Sequence, residues 1–233
     1  MKRNVLFHIP HASLYIPEEY KRETLLTEEE LEKENLFMCD YRVDELLEDK
    51  ENAIIFPYSR LYCDVERFRD ESETMNQYGM GYIYTKTSTG DEMFKPSLEH
   101  KEKINKIYDE HHKKLDEKVS EILNVYGSCI IIDLHSYSSE LVYRLFQYEN
   151  LPDICIGVEP LYYSEELTEH LVNYFKKHGY SVKLNYPYQG SIIPNKFYGK
   201  EENIVSIMIE INKRIYEDEP KVFKKILHGA LKF

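Results

Sequence analysis

Residues 130–140 read IIIDLHSYSSE. With Cys129 in front they form an apolar run, Cys129–Leu134, broken only by Asp133 and giving way to His135 and a group of hydroxyls. A run that is apolar at consecutive positions, rather than alternate ones, reads as a strand covered on both faces of a sheet. A strand that delivers a histidine has two readings. Either His135 is one polar residue at the rim of a core, or the strand holds it still for chemistry.

Working outward, further strands are expected at Val5–Ile9, Ala53–Phe56, Arg60–Val65, Ile154–Val158, Ser181–Asn185 and Ile204–Ile211. Thr27 followed by Glu30 is a capping-box start, and Leu31, Leu36, Val43, Leu46 and Leu47 carry a rough helical spacing to about Leu47. Pro96-Ser97 opens a long helix with Ile104, Ile107, Leu115, Val119 and Ile122 on one stripe, ended by Gly127. Helices also fit Ser164–Lys177 and Pro220–Leu231, and residues 69–95 read as a long irregular loop or hairpin. No linker or repeat interrupts this order. Alternating strands and helices imply α/β architecture: a single domain over residues 1–233, with a central mixed, mostly parallel sheet flanked by helices.

Composition narrows the function. Thirty basic against 42 acidic residues give a net charge of −12, which disfavours nucleic acid as a partner. No phosphate-binding glycine motif and no G-x-S-x-G elbow occur, so nucleotide binding and serine-hydrolase chemistry lack support. Cys39, Cys63, Cys129 and Cys155 form no C-x-x-C pair and read as small buried thiols in a reducing compartment. The apolar run near the start is broken by His8, too short for a signal peptide, and no stretch approaches a membrane span, so a soluble cytoplasmic protein with no membrane contact is expected. Nothing in the sequence sets the oligomeric state.

In open α/β sheets ligands lie beyond the carboxyl ends of the strands. The polar residues expected there are His11 after the first strand, then Asp64, Glu66 and Arg67, then Asp133 and His135, then Glu210 and Asn212. Two histidines, several carboxylates and an arginine are what a metal hydrolase needs. Catalytic zinc takes three ligands from His, Asp and Glu and keeps a place for water. A nearby carboxylate then moves the water's proton to the leaving amine. His11 and His135 suit the ligand role and Glu210 the base role. Each histidine alone also fits a hydrogen-bonded structural residue.

The motifs together carry a resemblance. Asp133–Ser139, DLHSYSS, resembles the third-ligand segment of zinc carboxypeptidases. The chain as a whole is similar to the N-formylglutamate amidohydrolase family. Ile9-Pro10-His11-Ala12-Ser13 followed by Ile16-Pro17 resembles that family's opening, and Asp40-Tyr41-Arg42-Val43-Asp44-Glu45-Leu46 its pair of acids before a leucine. Ser59–Arg67 resembles its S-R-x-x-x-D-x-N-R, and His111–Leu115 its Y-H-x-x-L, with His112 aligned to the histidine. Arg144-Leu145-Phe146, Pro152–Gly157, Asn185–Gly190, Tyr198-Gly199 and Glu210-Ile211-Asn212 follow in the family's order. The resemblance covers residues 5–216. It implies a zinc carboxypeptidase-like (phosphorylase/hydrolase-like) fold, one Zn2+ per chain, and hydrolysis of the amide of a small N-acyl amino acid such as N-formyl-L-glutamate, a step of histidine degradation. It implies His11 and His135 as ligands and Glu210 as base. Arg67, Arg144, Glu66, Asn185 and His112 fall at substrate-binding positions. A metallopeptidase or cell-wall amide hydrolase on the same scaffold, or a metal-free binding protein derived from it, are the alternatives.

The pattern breaks in two places. Zinc carboxypeptidases carry a glutamate ligand three residues after the first histidine, and here that residue is Leu14. The third ligand must come from elsewhere; Asp40 is preferred and Asp44 is the alternative, the two standing one helical turn apart if the helix continues. Glu66 stands where the family has asparagine. An ionised glutamate cannot donate to a substrate carboxylate, so Glu66 points away, neutralises Arg67 or binds an ammonium, and specificity is expected to be shifted.

Overall fold

The structure, a computed structural model, describes residues 4–233. It packs as two compact units that interleave in sequence: Met1–Ile9, Arg42–Ile54 and Leu115–Phe233 form one, and Pro10–Tyr41 with Ile55–Lys114 the other.

The first unit holds a six-stranded sheet. Its strands are β1 (Val5–Ile9), β2 (Ala53–Ile55), β3 (Cys129–Tyr137), β4 (Ile154–Val158), β5 (Val182–Leu184) and β6 (Ile204–Asn212). They lie in the order β2-β1-β3-β6-β4-β5. β1 with β3, β3 with β6, and β4 with β5 are parallel, while β4 and β6 are antiparallel. The sheet is therefore mixed and mostly parallel, as the consecutive apolar positions of β3 require. Eight of the nine residues of β3 are buried. One layer of core joins Leu6, Ile131 and Ile204 to Leu115, Val119 and Ile122 of the long helix. That stripe is the one the helical spacing marks. Elsewhere in the unit the helices Glu165–Lys177 and Pro220–Ala230 meet through Phe175 and Phe223, whose rings stack 6.2 Å apart at 8°.

The second unit carries α1 (Glu18–Glu23), α2 (Glu28–Met38) and the first half of α3 (Leu98–Tyr126). Its core is aromatic. Tyr20 packs on Phe94 at 4.4 Å and edge-on to Tyr62 at 5.7 Å, and Phe56 meets His111 at 5.1 Å. Residues 69–95 form no regular strand, in keeping with the loop expected there. Leu25 N–H bonds the Met93 carbonyl and Ser88 bonds Glu34, which pins the loop to the helical layer.

Three expectations need correction. The helix after Thr27 keeps its capping box but stops at Met38, where Cys39 turns extended at ψ 154°. Val43–Leu46 forms a separate 3₁₀ turn preceded by Arg42 in the left-handed region at φ 64°. Asp40 and Asp44 are therefore not neighbours on a helical face. Arg60–Val65 is no strand. The Ser59 carbonyl takes the Tyr62 and Cys63 N–H groups at 3.0 and 3.2 Å, and its hydroxyl takes that of Leu61, which folds the segment into turns. Finally, β3 runs on to Tyr137, so His135 lies within the strand rather than past its end. The serines beyond it open a helix, α4 (Ser139–Phe146), capped by Ser138. Among the described residues no helix is long and apolar enough to cross a membrane.

Candidate active site

In the unit that holds Pro10–Tyr41 and Ile55–Lys114, His11 follows β1 by two residues and is almost wholly buried. Its Nε2 lies 2.8 Å from Asp64 Oδ1. Asp64 is fully buried, and burial alone would raise its carboxyl. His11, Arg60 and Arg67 outweigh that and hold it well below the usual carboxylate range. Burial first, and then the charge of Arg60, lower His11 against the pull of Asp64 and Glu66. An ionised carboxylate only accepts, so Nε2–H donates to Asp64. This is the carboxylate–histidine arrangement that orients metal-binding imidazoles. Beyond Asp64, two further carboxylates approach the ring: Asp40, with Oδ2 3.8 Å from Nδ1, and Glu66, with an oxygen within 4.8 Å of a ring nitrogen.

The frame around Asp64 is tight. Arg60 donates from Nε and Nη2 to Asp64 Oδ2 at 3.1 and 2.8 Å, and Tyr84 donates to the same oxygen at 3.0 Å. Tyr84 was not singled out by any sequence feature; a tyrosine in an irregular loop gives no signal of its own. Arg67 Nε lies 3.8 Å from Asp64 Oδ2 and makes no hydrogen bond, so this guanidinium has a donor to offer. His112, expected at a substrate-binding position, braces the backbone here. Its Nε2 donates to the Val65 carbonyl at 2.8 Å, and Tyr108 donates to the Arg67 carbonyl at 3.1 Å, so α3 holds the Asp64–Arg67 segment by its backbone.

In the other unit, His135 Nε2 lies 3.0 Å from Asp133 Oδ1, and His8 Nδ1 bonds that same oxygen at 2.8 Å. Residues two apart on a strand share a face, which the D-x-H spacing announces. His8 joins them because β1 pairs His8 with Asp133 in register, a contact no local pattern reveals. Asp133 Oδ2 also accepts the Ile192 N–H at 3.2 Å. His135 and Glu210 are register partners on the parallel strands β3 and β6, both buried. Their side chains therefore rise from one face of the sheet beside one another.

The remaining expected residues sit differently. Asp44 takes Lys50 at 2.6 Å, an exposed ion pair rather than a ligand pose. Arg144 lies on α4 and pairs with Glu140 one turn away at 2.6 Å. Asn185, in the left-handed region at φ 49°, accepts the Val158 N–H through its side chain and fixes the end of β4.

Comparison with known proteins completes the picture. The N-formylglutamate amidohydrolase crystal structure from Ralstonia eutropha JMP134 superposes with a TM-score of 0.82 over 97% of this chain and 91% of that one, at 19% identity. The gene product Atu2144 from Agrobacterium tumefaciens gives 0.72 over 97% and 87%, also at 19% identity. At such identity these show the shared fold. No match was found among curated proteins. The family description N-formylglutamate amidohydrolase matches residues 3–217, nearly the whole chain, and the protein belongs to that family of amide-bond hydrolases.

Proposed function

We propose that this protein is a divalent-metal amidohydrolase, zinc being the expected ion, that removes the acyl group from a small N-acyl amino acid of the N-formyl-L-glutamate type. The observation that carries the reading is the pairing of His135 with Glu210 across β3 and β6. It sets a metal-binding residue type beside a carboxylate suited to proton transfer.

The donor chemistry fits a metal ion. His11 has a buried aspartate hydrogen-bonded at a ring nitrogen, which is how ligand imidazoles are oriented, and Asp133 Oδ1 lies 3.0 Å from a ring nitrogen of His135. The reading gives ligand roles to His11, Asp40 and His135. Bound there, the ion would acidify a water and polarise the amide carbonyl. Glu210 would take a proton from a water held there and pass it to the departing nitrogen. Arg67 holds the substrate carboxylate through a planar donor fork that Asp64 positions. The reading gives Asp44, Arg144, Asn185 and His112 supporting work.

The test is metal content of protein purified without added metal or chelator, on wild type and His135→Ala, followed by a screen of N-acyl amino acids. About one metal per chain, lost in the variant, with release of the acyl group from an N-acyl amino acid, is the expected result. No metal after zinc is added back would overturn the reading and favour a binding protein on the same fold.

A further inference from the structure

Asp64 Oδ1 accepts two hydrogens, one from His11 Nε2 at 2.8 Å and one from the Glu66 backbone N–H at 3.1 Å. One oxygen atom thus yokes the histidine to the residue whose carboxylate reaches within 4.8 Å of its ring. Glu66 has little backbone freedom. The carbonyls on either side of it, Val65 and Arg67, are held by His112 and Tyr108 of one helix.

Two ligands on one tetrahedral ion, each at a bond of 2.0–2.2 Å, lie about 3.4 Å apart. In this structure a Glu66 carboxylate oxygen lies within 4.8 Å of a His11 ring nitrogen, near that spacing. The charges point the same way. Asp40, Asp64 and Glu66 gather around His11, while Arg60 acts on the ring and Arg67 faces Asp64. Three carboxylates against two guanidiniums make the surroundings of the ring suited to a cation.

We infer that Glu66 is itself a ligand of the ion held by His11, and that it shifts the site toward oxygen-preferring divalent ions such as Mn2+. This rests on the metal-hydrolase reading and adds a ligand to it. Carboxylate oxygens suit manganese, whereas imidazole nitrogens suit zinc. Glu66 with Asp40 makes the donor set around His11 more anionic than a site with asparagine at residue 66 would be.

The experiment is titration of the metal-stripped full chain with Mn2+ and with Zn2+ separately, on wild type, Glu66→Gln and Glu66→Asp, with circular dichroism to confirm folding. Wild type is expected to bind one Mn2+. Glu66→Gln should weaken Mn2+ by at least about tenfold, the scale on which even supporting residues tune metal affinity. It should weaken Zn2+ less, and Glu66→Asp should recover part of the loss. Affinities for both ions within twofold of wild type in folded Glu66→Gln would overturn the inference while leaving the hydrolase reading intact. A wild type that binds neither ion would overturn both.

Discussion

His11 and Asp64 meet at 2.8 Å with both side chains buried, and the pair fixes which nitrogen of the imidazole carries its hydrogen. The same carboxylate neutralises Arg60, so one residue supports both the ring and the guanidinium beside it.

Asp64→Asn is accordingly expected to destabilise the fold by about 3–5 kcal/mol, the cost of stripping the partner from a buried charge. Tyr84→Phe removes one hydrogen bond to the same oxygen and should cost about 1 kcal/mol. Urea unfolding of the two variants beside wild type checks the ranking. Equal losses would mean that Arg60 finds Asp40 instead, now 3.9 Å from Nη1.

Glu210→Gln preserves shape and removes the base. Turnover should fall by about 10²–10⁴-fold, with metal content unchanged. Steady-state kinetics and elemental analysis on one preparation separate this from loss of the ion. A variant that keeps its metal and its rate removes Glu210 from the mechanism.

Gly157 in β4 has no room for a side chain. A Cβ there would sit 2.4 Å from the Gly190 carbonyl oxygen and 2.4 Å from the Met208 methyl. Met208 can swing aside, but the backbone of Gly190 cannot. Gly157→Ala should therefore cost about 1–3 kcal/mol by overpacking, read as a lowered thermal midpoint. Gly127→Ala meets no neighbouring atom and instead tests the strain of φ 74°.

Asp153 supplies the acid-sensitive element away from the site. Burial pushes its carboxyl up, but the Ser181 hydrogen bonds at 2.7 and 2.8 Å and Arg214 at 2.8 Å hold it below 3.8. Its folded pKa is depressed, so the stabilisation is full above the unfolded value of about 3.9 and is lost as pH falls through the folded value. The stability gap between wild type and Asp153→Asn should shrink as pH drops from about 5 toward about 2. Urea midpoints across that range check it, and a gap that stays constant would show that the carboxylate contributes no linked proton.

The sheet was legible where apolar residues run in sequence. β1, β4 and β6 fall within a residue of expectation because burial on both faces leaves a continuous hydrophobic signal. Polar segments were harder to read. The turns at Ser59 arise from a hydroxyl and carbonyl bonding forward, and the end of α2 arises where Asp40 N–H bonds the His11 carbonyl, a partner distant in sequence. The histidines and Glu210 stood out as polar groups on apolar strands. His8, Tyr84 and the bracing role of His112 depended on which residues the fold brings together, and no periodicity encodes that. Glu66 was visible as a departure from a family pattern, but its direction needed coordinates.

The register of the sheet also constrains how the protein is made. Val5 pairs with Ile130, and Cys129 in turn pairs with Ile204. The three central strands are thus recruited from widely separated parts of the chain. During synthesis β1 emerges with no strand to join, and β3, apolar on both faces, stays open on one edge until β6 has been made. Pairings of this separation fold slowly, and exposed apolar strands of this kind associate with one another. The nascent chain should therefore depend on shielding by a chaperone until β6 leaves the ribosome, and yield on overexpression should improve when translation is slowed or the temperature lowered.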